Sequence, residues 1–214
     1  MVFKAAKCPN CSGDLQVPDN RDIVKCMYCG NDVVVREAIK LVIGVDVSNI
    51  LHLADTAFES GNSEEAYGYY TKVLESDGKN IDAWFGKGMA SGSMSTLANP
   101  RINEMITNFD KAIEYAEEDR KEEYKIKAAK TLTSIASAYY NLATEHYNEF
   151  KELDNSWSEY VDRALIIIQA LALSYEYYKL KVTIEWILYV SNNTVFVNVF
   201  DSMKERYTPE LQNF

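Results

Sequence analysis

Apolar and polar residues follow two different periods along the chain, and the change of period divides it. In the first 40 residues, short apolar runs at 14–17, 23–25 and 32–35 are separated by Pro, Gly, Asn and Asp. This is the pattern of short β-strands joined by turns. Pro18-Asp19-Asn20 lies between the first two runs and predicts the turn that joins them. From residue 48 onward, apolar positions recur every three or four residues, as they do on one face of an α-helix. The stretch between, with Ile39-Lys40-Leu41-Val42-Ile43-Gly44-Val45 at its centre, is too apolar for a free linker. It predicts a joint at 41–47 that packs a β part, 1–40, against a helical part, 48–214, with Gly44 permitting a change of direction.

Within the helical part, small residues stand where two helices must touch. Leu53-Ala54, Gly61, Ala66, Tyr70, Val73-Leu74, Trp84 and Gly88 carry the pattern. Ala54 and Ala66 allow two antiparallel helices to cross closely. Gly61-Asn62 ends the first helix, Ser63-Glu64-Glu65 caps and charges the second, and Asp77-Gly78 closes it. A second signature of large apolar, polar, basic, small apolar and large aliphatic residues occurs three times: Tyr70-Thr71-Lys72-Val73-Leu74, Phe109-Asp110-Lys111-Ala112-Ile113 and Val161-Asp162-Arg163-Ala164-Leu165. The offsets are 39, from 70 to 109, and 52, from 109 to 161.

The unequal offsets imply insertions. The small, polar run Ala90-Ser91-Gly92-Ser93-Met94-Ser95 predicts one, and Asn99-Pro100 a turn before the next helix. Ala128, Leu132, Ile135, Tyr139, Leu142, Tyr147 and Phe150 lie on one stripe, which predicts a helix of about 28 residues from near Glu122. Ser156 is placed to cap the helix after it. Residues 157–178 are apolar nearly all round, so that helix is buried on several sides. The tail fits two readings. Its β-branched and aromatic residues flank Ser191-Asn192-Asn193 as in a β-hairpin, while Val182, Trp186, Tyr189 and Val190 also form a helical stripe. Packing context favours two helices.

The 49–89 pattern resembles the tetratricopeptide repeat, a helix-turn-helix unit with a 34-residue period, and the step from Ala54 to Gly88 is 34. The resemblance implies a mainly α fold: a helical-repeat array with repeats near 48–80, 81–118 and 122–180 and a cap at 181–214. It also places partner contacts on the inner face of each first helix, at Leu51, His52, Asp55, Phe58, Glu59, Asp82, Phe85 and Met89. Repeats of this family that clamp an acidic tail use Lys, Arg and Asn there, whereas this face carries acids and apolar groups. It therefore implies a basic or aromatic-anchored protein segment, or another protein's helix, as partner. Two alternatives stand beside this: an ordinary helical hairpin of a non-repeat bundle in place of the repeat, and Phe58 and Phe85 packed against the next repeat in place of partner contacts.

Cys8-Pro9-Asn10-Cys11 and Cys26-Met27-Tyr28-Cys29 are two C-x2-C knuckles separated by residues 12–25. Each turns tightly enough to aim two sulfurs at one centre, so the pair supplies four thiolates for a tetrahedral ion. Gly13 and Gly30 follow the knuckles, where a positive φ is useful. The pattern resembles a zinc ribbon of the transcription-factor type. That resemblance implies a structural Zn2+ on Cys8, Cys11, Cys26 and Cys29, closed to substrate. A redox dithiol is the other reading of C-x2-C, but it belongs near a βαβ pattern that is not found here.

Charge and the remaining chemistry narrow the function. The chain carries 32 acidic and 22 basic residues, a net charge of −10, which disfavours broad binding to phosphate backbones. His52 and His146 are its only histidines, and no phosphate loop, H-E-x-x-H or G-x-S-x-G motif occurs, so no enzymatic activity is expected. No apolar run reaches the roughly 18 residues of a membrane span, and residues 1–7 lack an apolar signal core, which predicts a cytoplasmic protein. The expectation is a non-enzymatic protein-protein interaction scaffold or adaptor. The alternative is a transcription or nucleic-acid regulator acting through the ribbon.

Overall fold

The computed structural model describes residues 3–18, 20–36, 38–39, 47–194 and 198–214. It is mainly α, with a small β region at the N-terminal end, and divides into two compact units, Met1–His52 and Leu53–Phe214. Residues 41–46 of the expected joint and Asp19 of the expected turn lie outside the described residues.

Four strands build the first unit: β1 (Phe3–Lys7), β2 (Asp14–Pro18), β3 (Ile23–Lys25) and β4 (Asp32–Val34). The three expected strands are present to within a residue, and a further strand, β1, precedes them. β1 pairs antiparallel with β2, and β3 with β4, in two separate two-stranded sheets. Pro18 therefore does not turn one strand onto its partner. The knuckle itself is the hairpin turn in each case, because a chain that curls its amides toward two sulfurs has already reversed direction. β1 escaped the sequence pattern because Phe3-Lys4-Ala5-Ala6-Lys7 has little β-forming character. One of its residues reaches the core: Ala6 sits opposite Leu15, and both are buried with Val17, Val33, Val35, Cys8 and Cys26.

Eight helices follow among the described residues: α1 (Val47–Glu59), α2 (Ser63–Ser76), α3 (Ile81–Ser93), α4 (Ile102–Tyr115), α5 (Glu118–Phe150), α6 (Ser156–Tyr177), α7 (Lys181–Asn193) and α8 (Asn198–Leu211). The described residues of the tail form two helices, α7 and α8, not a β-hairpin. α5 is 33 residues long and starts at Glu118, a turn earlier than its apolar stripe suggests, because the acidic Glu118 and Asp119 suit a helix start.

Caps differ in detail from expectation. Gly61 takes φ +82° at the end of α1, and Asn62, one residue before Ser63, caps α2. Its Oδ1 accepts from the Glu65 amide at 3.3 Å while its Nδ2 donates to Glu65 Oε2 at 2.7 Å. Asn80 caps α3 in the same manner through the Ala83 amide at 3.0 Å. Ser156 does not cap α6; Asn155 holds that position with φ +68°, and the Ser156 hydroxyl donates back to the Phe150 carbonyl at 2.5 Å.

The run 90–95 is not an inserted loop. α3 continues to Ser93, with Ala90, Ser91 and Gly92 fully buried. The small residues let a neighbour approach: a Cβ on Gly92 would lie 2.3 Å from Met105 Sδ, and one on Gly88 2.7 Å from Phe109 Cδ1. On another side of the helix Gly86 admits the Tyr70 ring. α3 is thus held between α2 and α4. Ser91 stays compatible with burial by donating to the Gly88 carbonyl at 2.8 Å.

Further along, buried polar groups join α5, α6 and α7. Thr133 Oγ1 lies 2.8 Å from both Ser174 Oγ and Thr183 Oγ1, and Ser174 also donates to the Ala129 carbonyl at 2.8 Å. Tyr140 and Tyr160 share a 2.5 Å hydroxyl contact. α8 is tied down by the Tyr175 hydroxyl donating to Glu210 and by an Arg206–Glu176 ion pair of 2.8 Å. No described helix is long and apolar enough to cross a membrane.

Candidate functional site

The two hairpins bring their turns together so that the sulfurs of Cys8, Cys11, Cys26 and Cys29 all lie within 4.8 Å of one another. Two of the separations run between the knuckles: Cys8 to Cys29 is 3.7 Å, and Cys11 to Cys26 is 3.7 Å. A tetrahedron with metal–sulfur bonds of about 2.3 Å has edges of about 3.8 Å, so the sulfur spacing fits one ion at the centre. The four cysteines are positioned to hold a metal ion, and the set leaves no protein-free corner.

Both knuckles use the same hydrogen bonds. The Cys8 amide donates to the Gly13 carbonyl at 2.9 Å, and the Cys26 amide to that of Asn31 at 2.9 Å. The amide after each second cysteine reaches back to the first: Ser12 to the Cys8 carbonyl at 2.8 Å, Gly30 to that of Cys26 at 2.9 Å. The residue making this return takes a left-handed conformation, Ser12 at φ +58° and Gly30 at φ +73°. Gly30 therefore has the expected role, but Gly13 does not, since Ser12 takes the positive φ one residue earlier. In each pair the first cysteine is buried and the second exposed.

Four adjacent sulfurs also compete for protons. The Cys29 amide, with help from that of Tyr28, holds the Cys26 thiol down at about 6 against its burial. The Gly13 amide favours the Cys11 thiolate, yet partial desolvation and the three neighbouring sulfurs push that exposed thiol up to about 12. A central cation is the partner that removes this competition, because it stabilises all four thiolates together.

Sequence reading missed Tyr28. Its amide donates to Cys26 Sγ at 3.4 Å, and its ring lies against Gly13 of the other knuckle, where a Cβ would come within 2.6 Å of Tyr28 Cδ2. The available signal was a large side chain inside one knuckle set against a glycine that conformation does not require in the other.

The eight residues expected to meet a partner are not equivalent. Leu51 and His52 fall in the first unit, and Asp55, Phe58, Glu59, Asp82, Phe85 and Met89 in the second. Phe85 must leave the set. It is 8 % exposed, stacks on Phe109 with centroids 4.7 Å apart and meets the Tyr124 ring edge-on at 5.6 Å. A side chain with two aromatic neighbours is core, as the alternative reading held. Asp55 and Asp82 have structural duties as well, since Tyr70 donates to Asp55 at 2.7 Å and the Tyr124 hydroxyl donates to Asp82. Phe58 and Met89 are half-buried, and Glu59 is exposed.

Comparison with family models, with curated proteins and with solved structures finds no match for this chain.

Proposed function

We propose that the chain is a non-enzymatic, cytoplasmic protein-protein interaction scaffold or adaptor, in which a structural zinc folds the N-terminal ribbon and the tetratricopeptide-like helices offer a surface to a protein segment. Zinc is the ion that four thiolates at tetrahedral spacing favour, and a closed four-sulfur set uses it for folding. Cys8, Cys11, Cys26 and Cys29 would hold it. Thiols kept free for a metal also suit a reducing compartment.

The observation that carries the scaffold reading is the stacking order of the helices. Each helix from α2 to α8 packs against the next in sequence, as units in a linear array do. Such an array presents one face of its first helices along its length. The resemblance assigns Phe58 and Met89 to that face; both are half-buried, and Glu59 is exposed. This combination suits a segment with apolar and basic side chains.

The test is affinity capture with the full chain beside a Phe58→Ala, Met89→Ala variant that melts at the same temperature. A protein partner retained by the first and lost by the second supports the reading. Retention by both, together with nucleic acid that disappears on charge reversal at Lys4, Lys7, Lys25 and Arg36, would move the function to the ribbon and to transcription or nucleic-acid regulation.

A further inference from the structure

The two knuckles correspond residue by residue: Cys8 with Cys26, Asn10 with Tyr28, Cys11 with Cys29, Ser12 with Gly30, Gly13 with Asn31. Their hydrogen bonds match, but their glycines do not. In the second knuckle glycine occupies the left-handed position, which is the position that needs it. In the first, serine takes that conformation at a cost of about 1–2 kcal/mol, while glycine stands one place later, where φ is not positive. Conformation therefore gives no reason for Gly13.

Contact does. A Cβ on Gly13 would lie 2.6 Å from Cδ2, 3.1 Å from Cε2 and 3.2 Å from Cγ of Tyr28, flat against the ring. The same Tyr28 donates its amide to Cys26 Sγ at 3.4 Å, and the Gly13 carbonyl accepts the Cys8 amide at 2.9 Å. One ring-on-backbone contact thus connects a ligand of each knuckle. Burial is not what places the ring there, since Tyr28 is 65 % exposed, and its hydroxyl makes no hydrogen bond among the described residues.

We propose that Tyr28, seated on the bare backbone of Gly13, is a clamp that fixes the two knuckles at the sulfur spacing a tetrahedral ion requires. The pair positions the ligands without touching the metal. The inference rests on the metal-binding reading of the four cysteines. It assigns the face of the ring, and not the hydroxyl, as the working part.

Cobalt(II) titration of the reduced full-length chain tests it, because sulfur-to-cobalt charge-transfer and ligand-field bands report both affinity and geometry. Wild type and Tyr28→Phe should bind alike, with the same tetrahedral bands. Gly13→Ala and Tyr28→Ala should each bind about tenfold or more weakly, the range in which residues supporting metal ligands act. The double variant should be no weaker than Tyr28→Ala alone, since the three atoms nearest to the added methyl all belong to the ring that is removed. Unchanged affinity and bands in Gly13→Ala would overturn the clamp, and so would losses at the two positions that simply add. A wild-type chain that binds no cobalt would instead overturn the metal reading, and the clamp with it.

Discussion

Gly86 of α3 and Tyr70 of α2 are in direct contact, so that a Cβ on Gly86 would lie 2.2 Å from Tyr70 Cζ. The ring lies along the bare helix backbone, and its hydroxyl donates to Asp55 of α1 at 2.7 Å. One side chain of α2 therefore touches two further helices. Gly86→Ala forces the ring away and overpacks the interface, a cost of about 1–3 kcal/mol that outweighs the roughly 1 kcal/mol by which alanine favours a helix. Gly68, in the middle of α2, has nothing within 4 Å of an added Cβ, so Gly68→Ala should stabilise by about 0.5–1 kcal/mol. Urea unfolding of both variants should show opposite signs. Equal responses would mean that the close approach at Gly86 contributes nothing.

The tyrosines make the helices sensitive to alkali. Burial first, and then its hydrogen bond to the Glu210 carboxylate, pushes the Tyr175 hydroxyl up to about 12. Tyr70, Tyr124, Tyr140 and Tyr177 are raised too, again chiefly by burial. In the unfolded chain these groups ionise near pH 10. Their folded values are higher, so their contribution to stability is complete below about pH 10 and is lost as pH rises toward and past 12. The thermal midpoint should be flat to about pH 9 and fall steeply above 10, less steeply in Tyr175→Phe. Ionisation of the last, buried tyrosines should coincide with loss of helical circular dichroism. Phenolate absorbance from all 15 tyrosines in a fully helical protein would contradict the assignment.

Removing the metal should affect the two units differently. Chelation is expected to collapse the dispersed amide resonances of residues 3–39 while helical circular dichroism persists, because so small a β unit depends on its ion for folding. One equivalent of zinc per chain should be released. Protons compete with the ion for thiolates, so affinity should fall as pH falls below neutrality, and Cys8→Ser should abolish binding. Full retention of the ribbon resonances in excess chelator would show that the sulfur cluster is not a folding element.

Thr133 sits at the junction of α5, α6 and α7, with its hydroxyl shared between Ser174 and Thr183. Thr133→Val keeps the shape and removes the central oxygen, leaving the Thr183 hydroxyl buried without that partner. The expected loss is about 1–3 kcal/mol in denaturant unfolding. Restoring most of it with a second change, Thr183→Val, would identify the unpaired hydroxyl as the cause. No rescue would assign the loss to packing.

Periodicity announced the helices because a 3.6-residue stripe is a local property, and the C-x2-C spacing announced the sulfur cluster because two adjacent ligands per knuckle are also local. What the chain order concealed were relations between distant residues. The pairing of β1 with β2 depends on the knuckle acting as the turn, which no strand propensity encodes. The run 90–95 looked like a loop since small, polar residues serve loops and close helix contacts equally, and only Met105 across the interface decides between them. Phe85 looked available for a partner until Phe109 and Tyr124 were seen to cover it. Gly13 had an apparent local purpose that Ser12 performs instead.

The glycines of α3 also bear on the order in which the chain folds. Gly86, Gly88 and Gly92 each weaken an isolated helix by about 1 kcal/mol relative to alanine, so α3 has little helicity of its own. It becomes helical only when Tyr70 arrives from one side and Met105 and Phe109 from the other. The central element of this region is therefore expected to form with its neighbours' association and not ahead of it. α2, α3 and α4 must accordingly gain and lose structure together, as one cooperative unit in hydrogen exchange.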